Sequence, residues 1–221
     1  MATGVKRASG AVRTARKRAV GAAAASWKKD PGGRRARVLL EATRLFSERG
    51  YAAVSTADVA RAAGVAEGSV FHYFGTKQEL LRAVGERYGT EFAGAMFFGI
   101  EPVASRVTIE HVVTQAFEFV ARNWPGFGLF LLSDGPSAAP LAQKANREVV
   151  TRAVEAALET WAREGAMPRA DAPVVAELLF GLVEAALRAC FAQGGSAARE
   201  RYETETVAAV SRVLRIDSGV T

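Results

Sequence analysis

Cysteine is almost missing from this chain: one residue, Cys190, in 221. A lone thiol excludes an internal disulfide framework, and its place in an apolar run marks it as a small buried hydrophobe. Histidine is as rare, and the two present, His72 and His111, are too far apart for metal-ligand spacing. Proline is scarce too; the seven residues at 31, 102, 125, 136, 140, 168 and 173 fall between apolar-periodic stretches. No uninterrupted apolar run reaches the roughly 20 residues that a membrane helix requires. Paired convergent carboxylates, a nucleophile with its base, and a metal set are all lacking. Glu177 and Glu184, seven apart on one helix face, read as a solvated or interface pair. Neither an enzyme nor a resident cofactor is expected.

Acid is absent from one end. Residues 1–37 hold eleven Lys and Arg against a single acid, Asp30, whereas the rest of the chain holds 18 basic and 22 acidic residues. The net charge of +6 is therefore concentrated at the N-terminus. Basic arms of this kind associate with nucleic acid through phosphate contacts and counterion release. Residues 1–33 are rich in Gly, Ala, Ser and charge, and are expected not to order alone because they bury too little apolar surface. The run RKRAVGAAAASW begins like an export signal but lacks a Leu-rich centre, so a cytoplasmic protein is expected.

What the chain has in quantity is helical periodicity. Long Ala-, Leu-, Glu- and Arg-rich segments alternate with Gly and Pro breaks, and few runs alternate as strands do. The fold class is all-α. After DPGG, residues Val38, Leu39, Ala42, Leu45 and Phe46 recur at helical spacing until Gly50. Ser55 and Asp58 form a capping box that opens a second, short helix ended by Gly64. A third helix is predicted over 67–74 and stopped by Gly75. Thr76 and Glu79 form another box that opens a longer fourth helix. Beyond residue 95 helices are expected at roughly 107–123, 127–133, 141–165, 172–192 and 197–215.

Two short helices joined by a tight Gly turn, set between two further helices, make a helix-turn-helix. Its second helix enters the major groove and offers exposed side chains to base edges. Val70 and Phe74, four apart, would face the core. Glu67, Ser69, His72 and Tyr73 remain for the outer surfaces, and Gly68 allows close approach to the duplex. Lys77, in the first turn of the next helix, joins free N–H groups as a phosphate-clamping corner.

The segment RVLLEATRLFSERGYAAVSTADVARAAGVAEGSVFHYFGTKQELLRAV (37–84) resembles the DNA-binding domain of the tetracycline-repressor (TetR) family. LFSERGY, DVARAAGV, GSVFHYF and TKQELL stand in the family's order and spacing. The resemblance implies a helix-turn-helix domain at 34–80, preceded by the arm 1–33. A fourth helix joins that domain to a larger helical domain at 81–221. It implies phosphate contacts from Ser55 and Thr56, groove contacts from Glu67, Gly68, Ser69, His72 and Tyr73, and a backbone contact from Lys77. The segment also departs from the family pattern. Ala57 stands where relatives can carry a base-reading basic residue, and Phe71 occupies a frequent Tyr position. Ala66 often aligns with Ser, which removes a side-chain cap worth about 1 kcal/mol. Glu67 would repel phosphate unless it accepts from a cytosine amino group.

The resemblance implies that the last two helices, about 172–192 and 197–215, pair with a second copy as a homodimer, placing two recognition helices on a palindromic operator. The aromatics Phe92, Phe98, Phe117, Trp124, Phe127, Phe130 and Trp161 are candidates to line a pocket for an apolar or aromatic small-molecule effector. The function implied is a sequence-specific transcriptional regulator, a repressor released from double-stranded DNA by that effector. An activator and a non-specific DNA-compacting protein are the alternatives.

Overall fold

The computed structural model describes residues 33–100, 103–123, 139–165, 167, 171–194 and 198–216. All of the expected arm 1–33 except Gly33, and the expected helix 127–133, lie outside the described residues. All regular structure among the described residues is helical: α1 (Arg34–Arg49), α2 (Thr56–Ala63), α3 (Glu67–Phe74), α4 (Lys77–Met96), α5 (Arg106–Asn123), α6 (Ala139–Arg163), α7 (Ala172–Ala192) and α8 (Arg199–Leu214). Packing divides them into two units, with boundaries inside α4 and α6; the first takes 33–91 and 139–149, the second 92–122 and 150–216.

The first unit grows from three short helices whose ends are written in the sequence. Ser55 caps α2: its side chain accepts the Asp58 N–H at 3.1 Å, and the Asp58 carboxylate accepts the Ser55 N–H at 3.0 Å. Both halves of the expected capping box are therefore formed. At the other end Gly64 takes φ 65°, the left-handed conformation that costs glycine little. The Val65 N–H reaches the Ala60 carbonyl at 3.0 Å and the Gly64 N–H reaches Arg61 at 3.3 Å, closing the helix in a Schellman motif. The turn is tight enough to bring α3 against α2, and both pack on α1. Their buried side chains form one core: Val38, Leu39, Ala42, Leu45 and Phe46 of α1, Val59, Ala60 and Ala63 of α2, and Val70 and Phe74 of α3. Leu80, Leu81 and Val84 of α4 are fully buried as well.

A second contact in this unit depends on residues with no side chain. Along α4, Gly85 and Gly89 face α6 so closely that a Cβ on Gly85 would lie 2.2 Å from the Ala142 carbonyl oxygen. One on Gly89 would lie 2.9 Å from the Asn146 carbonyl oxygen. Atoms do not tolerate such separations, so only glycine permits this helix crossing.

In the second unit Phe92 packs on Phe119 with ring centroids 5.4 Å apart. In the same unit Met96, Ile109, Val113, Ala116, Phe117, Val120, Leu158 and Trp161 are buried. Helices α7 and α8 pack on each other. Asp171 caps α7 by accepting the Val174 N–H at 3.4 Å, and Pro173 sits in its first turn, where no N–H is missed. Cys190 is fully buried in α7. Burial, with help from Glu203, raises its thiol pKa and keeps it protonated and unreactive.

Both ends of α6 and both ends of α8 differ from expectation, and α5 begins one residue early, at Arg106. Helix α6 begins at Ala139 rather than 141, because Pro140 belongs to its first turn instead of preceding it. It ends at Arg163 rather than 165, since Gly165 adopts φ 73°. Helix α8 runs over 199–214 rather than 197–215, and Arg215 takes the left-handed conformation that closes it.

Candidate nucleic-acid interface

Helix α3 shows two faces. Val70 and Phe74, on one side, are buried against the three-helix core as expected. Glu67, Gly68, Phe71 and His72 are exposed on the other, and Ser69 and Tyr73 are half-buried at its margins. The His72 and Tyr73 rings meet edge to face at 5.5 Å, and Tyr73 meets Phe74 in the same way at 6.3 Å. This chain of rings ties the exposed histidine to the core. Gly68 has helical geometry, and a Cβ added to it would meet nothing within 4 Å. The chain's own packing therefore does not demand glycine there. Ala66 precedes the helix without a side-chain cap, as the sequence indicates.

The hydroxyls expected to bind phosphate are already engaged. Ser55 Oγ donates to Asp58 Oδ2 at 2.6 Å. The Ser55 hydroxyl first, then its N–H and Arg61, hold the Asp58 carboxyl below the usual range. Thr56 Oγ1 donates to Glu67 Oε1 at 2.6 Å. Each hydroxyl has one proton to give, and each gives it to a carboxylate. What the start of α2 still offers an anion is mainly backbone N–H groups.

Lys77 occupies the start of α4, where its ammonium lies over the Tyr51 ring at 4.2 Å from the centroid. Desolvation lowers its pKa from the ordinary lysine value. Thr76 caps the same helix by accepting the Glu79 N–H at 3.1 Å. Tyr51 thus acts as a platform that fixes the direction of Lys77. Arg35 lies over the Phe74 ring at 4.9 Å, and Arg34 and Arg37 beside it are exposed in the first turn of α1.

Several of these features escape a reading of the sequence. Phe71, exposed to 47%, lies four residues from Glu67 and so beside it on the helix. It is a candidate contact in its own right, and the spacing already placed it off the core face. The pairing of Thr56 with Glu67 links residues eleven apart through space, and the platform under Lys77 spans 26 positions; no periodicity signals either.

The candidate pocket residues are placed unevenly. Phe92, Phe117 and Trp161 are buried in the second unit, whereas Phe98 is 69% exposed. Trp124, Phe127 and Phe130 lie outside the described residues. Among the described residues no group of His, Cys, Asp and Glu is placed to hold a metal, and no helix is long and apolar enough to cross a membrane. On α7, Val174 and Leu178 are exposed one turn apart, next to Gly181, where an added Cβ would meet nothing. Val213 on α8 is exposed as well.

Residues 38–84 match the profile of the bacterial regulatory proteins of the tetR family. Over this segment the chain is similar to the tetR family. The chain is also 35% identical over 92 residues to the HTH-type transcriptional repressor KstR2 of Rhodococcus jostii, covering 40% of this chain and 44% of that one. The chain thus spans less than half the length of that curated relative. Its fold is shared more widely. A tetR-family regulator from Syntrophomonas wolfei superposes with TM-score 0.67 at 15% identity, over 86% of this chain and all of the other. The regulator FadR from Bacillus subtilis, solved with stearoyl-CoA, gives TM-score 0.56 at 18% identity, over 84% and 98% of the two chains. At these identities the likeness is one of fold: an all-helical chain with an N-terminal helix-turn-helix.

Proposed function

We propose that this protein is a sequence-specific, DNA-binding transcriptional regulator that acts as a homodimer. The observation that carries this reading is the uncovered face of α3. Gly68, Phe71 and His72 are exposed there, while Val70 and Phe74 on the opposite face are buried in the core. A helix of two turns gains nothing from exposing a phenyl ring and an uncompensated glycine unless another surface meets them. The adjoining cations, Lys77 on its aromatic platform and Arg34 and Arg37 on α1, supply charge for phosphates on either side. The direct readers are Gly68, Ser69, His72 and Tyr73 with Glu67. Thr56 acts from the start of α2 through its N–H, and Ser55, which gives both its N–H and its hydroxyl to Asp58, supports that end as the cap.

The apolar patch of Val174 and Leu178 on α7, with Val213 on α8, supports pairing with a second copy through these two helices. Two-fold pairing presents two α3 helices to half-sites about 34–36 Å apart, which calls for a palindromic operator. A repressor released by a small apolar or aromatic effector is the form we favour. Phe92, Phe117 and Trp161 are its described candidate contacts. Release requires that the effector bind one dimer form better than the form that fits DNA. Activation at a different promoter position uses the same chemistry and is the second reading.

Footprinting of the full chain on DNA flanking its own coding sequence tests the proposal. A protected palindrome is expected; salt-dependent coating of all duplexes alike would instead identify a compacting protein. Calorimetric titration that finds tight binding only for a strongly charged metabolite would contradict the apolar effector.

A further inference from the structure

We propose that Glu67, held in place by Thr56, makes binding selective: it reads a cytosine and penalises any duplex that lacks one at that position. This inference rests on the reading of α3 as the groove-entering helix. The first residues of α2 and α3 are Thr56 and Glu67, and the Gly64 turn brings them together so that the hydroxyl donates to Oε1 at 2.6 Å. Glu67 is exposed despite this bond, so its second oxygen remains able to accept. A carboxylate is acceptor-only. In the major groove guanine offers two acceptors and thymine one, and adenine carries N7 beside its amino group; cytosine alone offers an amino group with no acceptor on the same base edge.

The same carboxylate has a cost everywhere else. It stands at the start of α2, where a phosphate would otherwise be attracted, and it has taken the proton that Thr56 would give to that phosphate. A chain with eleven Lys and Arg in its first 37 residues has no shortage of non-specific affinity for DNA. Discrimination then requires an element that opposes the wrong partner as well as one that favours the right partner. Glu67 is both, and Thr56 is its positioning residue: without the hydroxyl bond the carboxylate swings among rotamers and loses its aim.

The full-length protein, selected against random duplexes, supplies the preferred site. Affinities are then measured by fluorescence anisotropy at one salt concentration, on that site, on sites with single C·G pairs replaced, and on mixed-sequence competitor. For the wild type, replacing one cytosine in each half-site is expected to weaken binding roughly tenfold per half-site, the scale of one good base contact. Glu67→Ala loses that preference and binds the competitor more tightly. Glu67→Gln moves the preference at that position towards adenine, which a carboxamide pairs with through two bonds. Thr56→Val blunts the cytosine preference, and Thr56→Ser restores it. Melting curves are expected to be alike for all four variants, since both residues are on the surface. If the wild type selects a sequence and Glu67→Ala keeps the same preference, or tightens on all duplexes equally, the inference is overturned and the DNA-binding reading stands. If the wild type selects no sequence, both fall.

Discussion

Helices α3 and α7 both leave a face uncovered, and the two faces are made of different material. On α3 the exposed positions are Glu67, Gly68, Phe71 and His72: polar, small or aromatic, on a helix of eight residues. On α7 they include Val174, Leu178 and Ala185, apolar or small, along a helix of 21 residues. The first suits a hydrated polyanion, where hydrogen bonds and close approach matter. The second suits a protein surface, where area removed from water provides the stabilisation. A helix face that packing leaves open thus indicates the kind of partner through its composition, and its length indicates how much surface that partner must cover.

This contrast can be broken by substitution, most forcefully on α7. Leu178→Lys places a charge where a two-fold pairing would bury the leucine twice. At about 1.5–3 kcal/mol per buried leucine, dimer affinity is expected to fall at least a hundredfold. Sedimentation measures this; a variant that remains dimeric would remove α7 from the interface. Next in size is Gly85→Ala on α4. Its Cβ would lie 2.2 Å from a backbone oxygen of α6, which flexible side chains cannot relieve. A loss of about 3 kcal/mol in urea unfolding is expected, the upper end for overpacking.

Gly68→Ala sharpens the comparison because its two effects have opposite signs. With open space around the new Cβ, helix propensity should stabilise the fold by about 1 kcal/mol. DNA affinity should fall if the backbone approaches the duplex there. Greater stability with unchanged affinity would remove Gly68 from the groove. The smallest effect concerns the α2 cap. Ser55→Ala is expected to cost about 1 kcal/mol at neutral pH. Ser55 lowers the Asp58 pKa in the folded state, so the stability it contributes is complete above the unfolded Asp value of about 3.9. It is lost as pH falls through the lower folded value. The gap in melting temperature between wild type and variant should therefore narrow below about pH 4.

The sequence made the first unit legible because its helices end on local chemistry. Gly50, Gly64 and Gly75 stop α1, α2 and α3, the Ser55–Asp58 box starts α2, and the limits 67–74 and 172–192 coincide with α3 and α7. Local rules reach no further than a few residues. They give Pro140 as a break when it is the first turn of α6. They place Phe98 with the pocket aromatics although its ring is exposed. They also cannot show that Thr56 and Glu67, or Lys77 and Tyr51, meet across turns, so part of the apparent phosphate site proves to be occupied by the chain's own carboxylates.

The most direct test of the account places a cutting reagent on α3 itself. Cys190 is fully buried, so an Ala66→Cys variant, at the exposed start of α3 and outside the proposed readers, presents its new thiol on the surface for an iron-chelate nuclease. Bound to its preferred duplex, the labelled protein should cut at two loci about 10 base pairs apart, one for each half-site of a dimer. Cleavage spread evenly along a duplex that the protein still binds would contradict the placement of α3 in the groove.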